Sequence, residues 1–186
     1  MNDSHFISKT VSLALKGKYN TKPGVNVGCV IVKNNKIIGK GFYEKYGGSH
    51  AEINAINDVK RKYKTSYLSK LSGSKIYVSL EPCSKEGKTG ACVNELKKYN
   101  FKKIIIGCED PTQSGLNILE QAGYEVKNLN HKNCLSLNET FFYKAKFKKP
   151  FVRAKIAMSS DQKSVFVSGK RKWITGEQAR KDVQFL

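Results

Sequence analysis

Three residues stand at spacings that allow metal chemistry: His50 in His50-Ala51-Glu52, Cys83 in Glu81-Pro82-Cys83, and Cys92 nine residues after Cys83. An imidazole and two thiolates are good zinc ligands. A zinc held by three protein groups keeps a fourth position for water, which marks a catalytic rather than a structural site. A purely structural zinc would need a fourth protein ligand, and no neighbouring residue offers one. Bound zinc lowers the pKa of water toward neutrality. Glu52, beside one ligand but not needed as one, is placed to take that water's proton and pass it to a leaving group. The chemistry this predicts is zinc-assisted hydrolysis, with His50, Cys83 and Cys92 as ligands and Glu52 as proton shuttle.

The elements around these residues have to bring them together. Residues 4–16 carry apolar positions at helical spacing and end at Gly17. Val27–Val32 reads as a buried strand, turning at Asn34-Asn35 into a partner over residues 37–43. A helix begins near His50, with Ile53, Ile56 and Val59 on one face. The strand 75–80 delivers Glu81-Pro82-Cys83, and the first turn of a helix over 91–99 carries Cys92. A strand over 103–108, a helix over 117–122, a strand over 124–129 and a helix over 134–147 complete the alternation. The pattern predicts an α/β fold, a mixed sheet with helices on both faces. Lys148-Lys149-Pro150 reads as a boundary, and residues 151–158 as a fresh strand.

Composition narrows the setting. No apolar run approaches the ~20 residues of a membrane span, and the N-terminal residues lack the features of a signal peptide. Five cysteines give no disulfide framework, so the sequence predicts a reducing, cytoplasmic setting, with Cys29, Cys108 and Cys134 as core residues. His5 and His131 have no partner motif and read as surface residues. The net charge of +19 invites a nucleic-acid reading. However, only four of the 34 basic residues are arginine, and the lysines are spread along the chain with fourteen asparagines. That is a solvated surface rather than a dedicated nucleic-acid site, with some capacity to steer a phosphorylated small substrate.

His-x-Glu followed by Pro-Cys is the mark of the zinc deaminases. The segment Glu81-Pro82-Cys83-Ser84-Lys85-Glu86-Gly87-Lys88-Thr89-Gly90-Ala91-Cys92 resembles, more narrowly, the zinc motif of the riboflavin-biosynthesis deaminases, the N-terminal half of a bifunctional deaminase/reductase, which keeps the same nine-residue step. Val27–Val32, Gly47–Glu52, Asp110-Pro111, Ala122–Val126 and Leu137-Asn138-Glu139 support the resemblance. Lys149–Val152, Lys155, Met158–Asp161 and Lys172–Thr175 resemble the opening of the reductase domain.

The resemblance implies a three-layer α/β/α cytidine-deaminase-like fold with a mixed sheet of about five strands. It implies a zinc-dependent deaminase domain over residues 1–149 and an incomplete opening segment of a reductase domain over 150–186. The implied reaction is hydrolytic removal of the 2-amino group of 2,5-diamino-6-ribosylamino-4(3H)-pyrimidinone 5′-phosphate. Zn²⁺ is the only cofactor implied, and no NADPH binding or reductase activity is expected from residues 150–186. Substrate contacts are implied for Ser84, Lys88, Thr89, Asp110 and Lys155, and a homo-oligomer for the assembly.

The chain departs from the family pattern around the substrate and not on the metal. Gly24-Val25 replaces Asn-Pro, Tyr43 and Lys85 each replace a His, Gly90-Ala91 replaces Pro-Pro, and Thr112-Gln113 replaces Asn-Pro. Two other readings follow from these departures: a related zinc deaminase acting on another base or nucleotide, and a catalytically silent deaminase-like partner protein. An intact Glu52 speaks against the silent one.

Overall fold

The computed structural model describes residues 2–87, 90–164 and 173–184. The chain divides into two compact units, Met1–Lys149 and Pro150–Leu186.

The first unit is built on five strands: β1 (Gly28–Lys33), β2 (Lys36–Phe42), β3 (Lys75–Val78), β4 (Lys103–Ile106) and β5 (Val126–Asn128). Their order is β2-β1-β3-β4-β5, with β1 antiparallel to both β2 and β3, and β3, β4 and β5 mutually parallel. Asn34 and Asn35, both at positive φ, make the tight turn between β1 and β2. Asparagine tolerates this left-handed backbone better than most residues.

The inner strands read as unbroken apolar runs because both of their faces are covered. Cys29, Ile31, Ile76, Val78, Ile104 and Ile106 face one core, and Val30, Val32, Tyr77 and Ile105 face the other. The first core is closed by α2 (Ala51–Tyr63), α3 (Tyr67–Leu71), α4 (Cys92–Leu96) and α5 (Gly115–Gln121). The second core takes Phe6 and Ile7 of α1 (Asp3–Ala14), Cys134 of α6 (Lys132–Leu137) and Phe142 of α7 (Glu139–Phe147). The three-layer α/β/α arrangement with a five-stranded mixed sheet is therefore present as the sequence implies.

Helix α2 carries the site, and two glycines of β2 let it sit close to the sheet. A Cβ on Gly41 would lie 2.3 Å from both Ala51 O and Ala55 N, and one on Gly39 would lie 2.6 Å from Ala55 O. Side chains of α2 then tie it to the strand. Asn54 Nδ2 donates to Phe42 O at 2.8 Å, and Asp58 accepts from Lys40 N–H at 3.0 Å.

Asp58 also accepts from Lys62 and Arg61. Partial burial pushes its carboxyl up, but the hydrogen bonds from Lys62 and from Lys40 N–H outweigh it and hold the pKa below the usual value. A carboxyl lowered by folding stabilises the native state above its unfolded pKa, about 3.9, and loses that contribution as pH falls through the lower folded value. The stability advantage of wild type over Asp58→Asn is therefore expected to be constant above about pH 5 and to shrink below about pH 4. Urea midpoints for the two proteins across that range check this.

Three local readings are corrected. The helix expected over 134–147 is two helices, α6 and α7, separated at Asn138. Buried Asn138 leaves helical geometry because its side chain serves a distant loop, accepting from Asn26 N–H at 2.8 Å and donating to Asn26 O at 2.9 Å. His131 is half-buried rather than a surface residue, and it precedes α6 with its N–H bonded to Gly107 O. Residues 151–158 in the second unit form no strand, since nothing among the described residues pairs with them. Among the described residues of that unit the regular element is α8 (Glu177–Val183), whose Arg180 guanidinium lies 4.6 Å from the exposed Trp173 ring.

Candidate metal centre

Three chain segments converge on the first core's side of the sheet. His50 is the N-cap of α2, in extended backbone conformation. Cys83 follows β3 after Ser79-Leu80-Glu81-Pro82, and Cys92 opens α4. Ser79 anchors the connection by donating its N–H to Gly28 O and accepting Gly28 N–H at its hydroxyl. Glu81 N–H donates to Cys108 O.

The ligand atoms of His50, Cys83 and Cys92 all lie within 4.8 Å of one another. His50 Nδ1 is 3.2 Å from Cys92 Sγ and 3.4 Å from Cys83 Sγ. Zinc bonds of roughly 2.0 Å to nitrogen and 2.3 Å to sulfur at tetrahedral angles separate such atoms by roughly 3.5 Å. The donor set therefore fits zinc with little adjustment. No other group of this kind occurs among the described residues.

The electrostatics of these three side chains point the same way. Hydrogen bonds from the Cys92 thiol, from His50 and from Cys92 N–H stabilise charge on Cys83 and outweigh burial, pulling its pKa down to about 4. Cys92 is pushed well above the usual thiol range, first by the hydrogen bond it gives Cys83 and then by burial and Glu52. The Cys83 sulfur in turn raises the His50 pKa, against partial burial. One proton shared between two sulfurs is what a divalent cation replaces when both become ligands.

Glu52, 3 % exposed, is the second residue of α2, in its first turn. Burial lifts its pKa to about 6. It is near enough to Cys92 for each to shift the other's titration, yet it is outside the ligand cluster. A carboxyl with a pKa near neutrality suits general acid/base work. Tyr43, 8 % exposed, stands edge-on to the His50 ring with centroids 5.4 Å apart, and its hydroxyl accepts Gly47 N–H at 2.8 Å. A Cβ on Gly24 would meet the Tyr43 ring at 3.3 Å, so two of the family departures touch each other. A cavity of about 320 Å³ is lined in part by Ser49, Ile53, Gly90, Ala91 and Asn94, among them the chain neighbours of His50 and Cys92.

The residues expected to contact substrate are placed unevenly. Ser84 is half-buried directly after Cys83. Buried Asp110 accepts at Oδ1 from Thr112 N–H and hydroxyl, at 2.8 and 2.7 Å. Lys88 and Thr89 lie outside the described residues. Lys155 belongs to the second unit, exposed, with Nζ donating to Ile156 O.

Two residues that the sequence offers only as part of a motif or as a family departure, with no role attached, organise the loops around Cys83. Buried Glu81 accepts from Asp110 N–H at 2.9 Å and Leu116 N–H at 3.0 Å. Gln113 accepts from Ser84 and Lys85. An acid just before Pro-Cys at a strand end was the available signal for Glu81. Gln113 showed only as a replacement in the family pattern; its bonding role had no local signal, because its partners lie 28 and 29 residues away. The remaining cysteines, Cys29, Cys108 and Cys134, are buried, and burial raises the pKa of each. They are inert core thiols.

Comparison with known proteins bears on the same region. The model of the cytidine and deoxycytidylate deaminase zinc-binding region matches residues 1–108. The riboflavin biosynthesis protein RibD of Actinobacillus pleuropneumoniae is 42% identical over 189 residues, covering 99% of this chain and 48% of that protein. The diaminohydroxyphosphoribosylamino-pyrimidine deaminase of Buchnera aphidicola (subsp. Schizaphis graminum) is 38% identical over 147 residues, 76% of this chain and 95% of that protein. Among solved structures, Acinetobacter baumannii RibD superposes with a TM-score of 0.83 at 38% identity, over 98% of this chain and 51% of the other. The chain spans about half the length of the first of these relatives.

Proposed function

Given that the chain belongs to the cytidine and deoxycytidylate deaminase zinc-binding family, we propose that it hydrolytically deaminates 2,5-diamino-6-ribosylamino-4(3H)-pyrimidinone 5′-phosphate, as a riboflavin-biosynthesis enzyme. The observation that carries this is the joint placement of His50, Cys83 and Cys92 within ligand distance, with buried Glu52 beside them. On this reading those three residues hold zinc, which supplies Lewis acidity and a water of lowered pKa. Glu52 accepts a proton as the water's oxygen bonds to C2 of the pyrimidinone and passes it to ring N1 as the C2–N1 double bond opens; it then takes the C2 hydroxyl proton and delivers it to the amino nitrogen as the bond from C2 to that nitrogen breaks. The products are the C2 carbonyl with a protonated N1 and ammonia, which places both water protons.

Residues 1–149 act as the deaminase domain, and residues 150–186 correspond to the start of a reductase domain. Ser84, Lys88, Thr89, Asp110 and Lys155 are proposed substrate contacts, and a cytoplasmic homo-oligomer the working form. Five free cysteines support the reducing compartment. No helix among the described residues is long and apolar enough to cross a membrane.

The packing of Tyr43 against Gly24 favours a pocket retuned by paired replacements over one that has decayed. The test is ammonia release from the diaminopyrimidinone phosphate by zinc-loaded protein. Release from cytidine or deoxycytidylate but not from this substrate would move the reading to another base. Zinc at one per chain with no turnover on any of them would make it a silent relative.

A further inference from the structure

Five hydrogen bonds join the loop after Cys83 to the loop after β4. Gln113 Oε1 accepts from Ser84 N–H at 2.9 Å, Ser84 hydroxyl at 3.0 Å and Lys85 N–H at 3.3 Å. Ser84 Oγ in turn accepts Ser114 N–H at 3.1 Å, and Lys85 Nζ donates to Thr112 O at 2.7 Å. A carbonyl oxygen has two lone pairs, so three donors saturate it. Turning the amide over would set its NH₂ against those same donors, so the side chain has one workable orientation.

The far side of the second loop is held independently, by Glu81 at Asp110 N–H and Leu116 N–H. At Gly115 the backbone packs so closely that a Cβ would lie 2.0 Å from Pro82 O. Cys83 is therefore fixed from before by Glu81-Pro82 and from after by Ser84-Lys85. Lys85, Thr112 and Gln113 are positions at which the chain departs from the family pattern, and here they bond to one another.

We propose that Gln113 is a positioning residue: its amide oxygen clasps the Ser84–Lys85 turn and so fixes the wall of the site next to the ligand Cys83. The effect on turnover rests on the functional reading above, which gives Ser84 a substrate contact. Removing the acceptor leaves three donors unpaired, and a loss of this kind corresponds to about a tenfold change in the equilibrium it controls.

The test compares full-length, zinc-loaded wild type with Gln113→Leu, which removes the acceptor, and Gln113→Glu, which keeps it. The expected result for Gln113→Leu is tryptic cleavage after Lys85 about ten times faster, because cleavage follows the population of the opened loop. KM for the diaminopyrimidinone phosphate rises about tenfold, while kcat and zinc content stay near wild type. Gln113→Glu behaves as wild type in both respects. Cleavage after Lys85 at the wild-type rate overturns the proposal. So does equal acceleration at every tryptic site with a lowered urea midpoint, or a Gln113→Glu protein no better than Gln113→Leu. Wild type that releases no ammonia refutes the functional reading, and cleavage after Lys85 then decides the clasp alone.

Discussion

Glu52→Gln is expected to abolish ammonia release while leaving zinc bound at one per chain. The substitution keeps the shape of a side chain that is 3 % exposed and removes its ability to accept and return a proton. General acid/base groups contribute up to about 10⁴-fold, so kcat should fall by about 10³–10⁴, some 4–5.5 kcal/mol of barrier. Zinc should stay because the carboxylate is not among the three groups whose ligand atoms cluster. Two measurements on one preparation are needed, metal content and ammonia release. A variant that loses metal together with activity would place Glu52 in the ligand set. A variant that keeps a tenth or more of wild-type kcat would remove it from the chemistry.

Cys92→Ser should do the reverse, striking the metal first. Cys92 is fully buried at the start of α4, and its N–H also donates to Cys83 Sγ. A hydroxyl at that position is a poor replacement for thiolate. Loss of even an outer hydrogen-bond partner costs 10–100-fold in metal affinity, so loss of a ligand should cost more than about a hundredfold. Under conditions that saturate wild type, a hundredfold weaker site forfeits about 2.7 kcal/mol of metal-linked stability. For a chain of this size that corresponds to a Tm lower by about 5–10 °C. Chelator competition reads the affinity and calorimetry the Tm. Adding excess chelator to wild type should reproduce the lowered Tm, and have little effect on the variant. Unchanged affinity would exclude Cys92 as a ligand.

The parts of this molecule legible in the sequence were those with short-range signatures. Apolar runs within 27–32, 75–80 and 103–108 gave strands covered on both faces, and Gly17 marked the end of the first helical stretch. His50, Cys83 and Cys92 could be picked out together because their residue types, at two helix starts and a strand end, suit a metal, and the structure brings all three side chains together. What escaped was settled by partners distant in sequence. Asn138 breaks the last helix of the first unit to serve Asn26, 112 residues earlier. Gln113 and Glu81 act across the gap between two parallel strands. The short α3 follows Lys64 at positive φ and contributes only Leu71 as a buried residue, too little for a periodic signal. The strand read at 151–158 shows the converse, since apolar alternation makes a strand only where another strand can pair with it.

Among the described residues the sheet ends at β2 and at β5, and unpaired strand borders invite other chains to add on. Lys36 and Lys40 stand exposed on β2, and Lys127 on β5, which is only three residues long. At Lys40 the outward N–H is already taken by Asp58 of α2. Part of the lysine excess thus guards the rims of the sheet against intermolecular strand addition. Neutralising Lys36 and Lys40 is expected to raise aggregation through β2, read by light scattering.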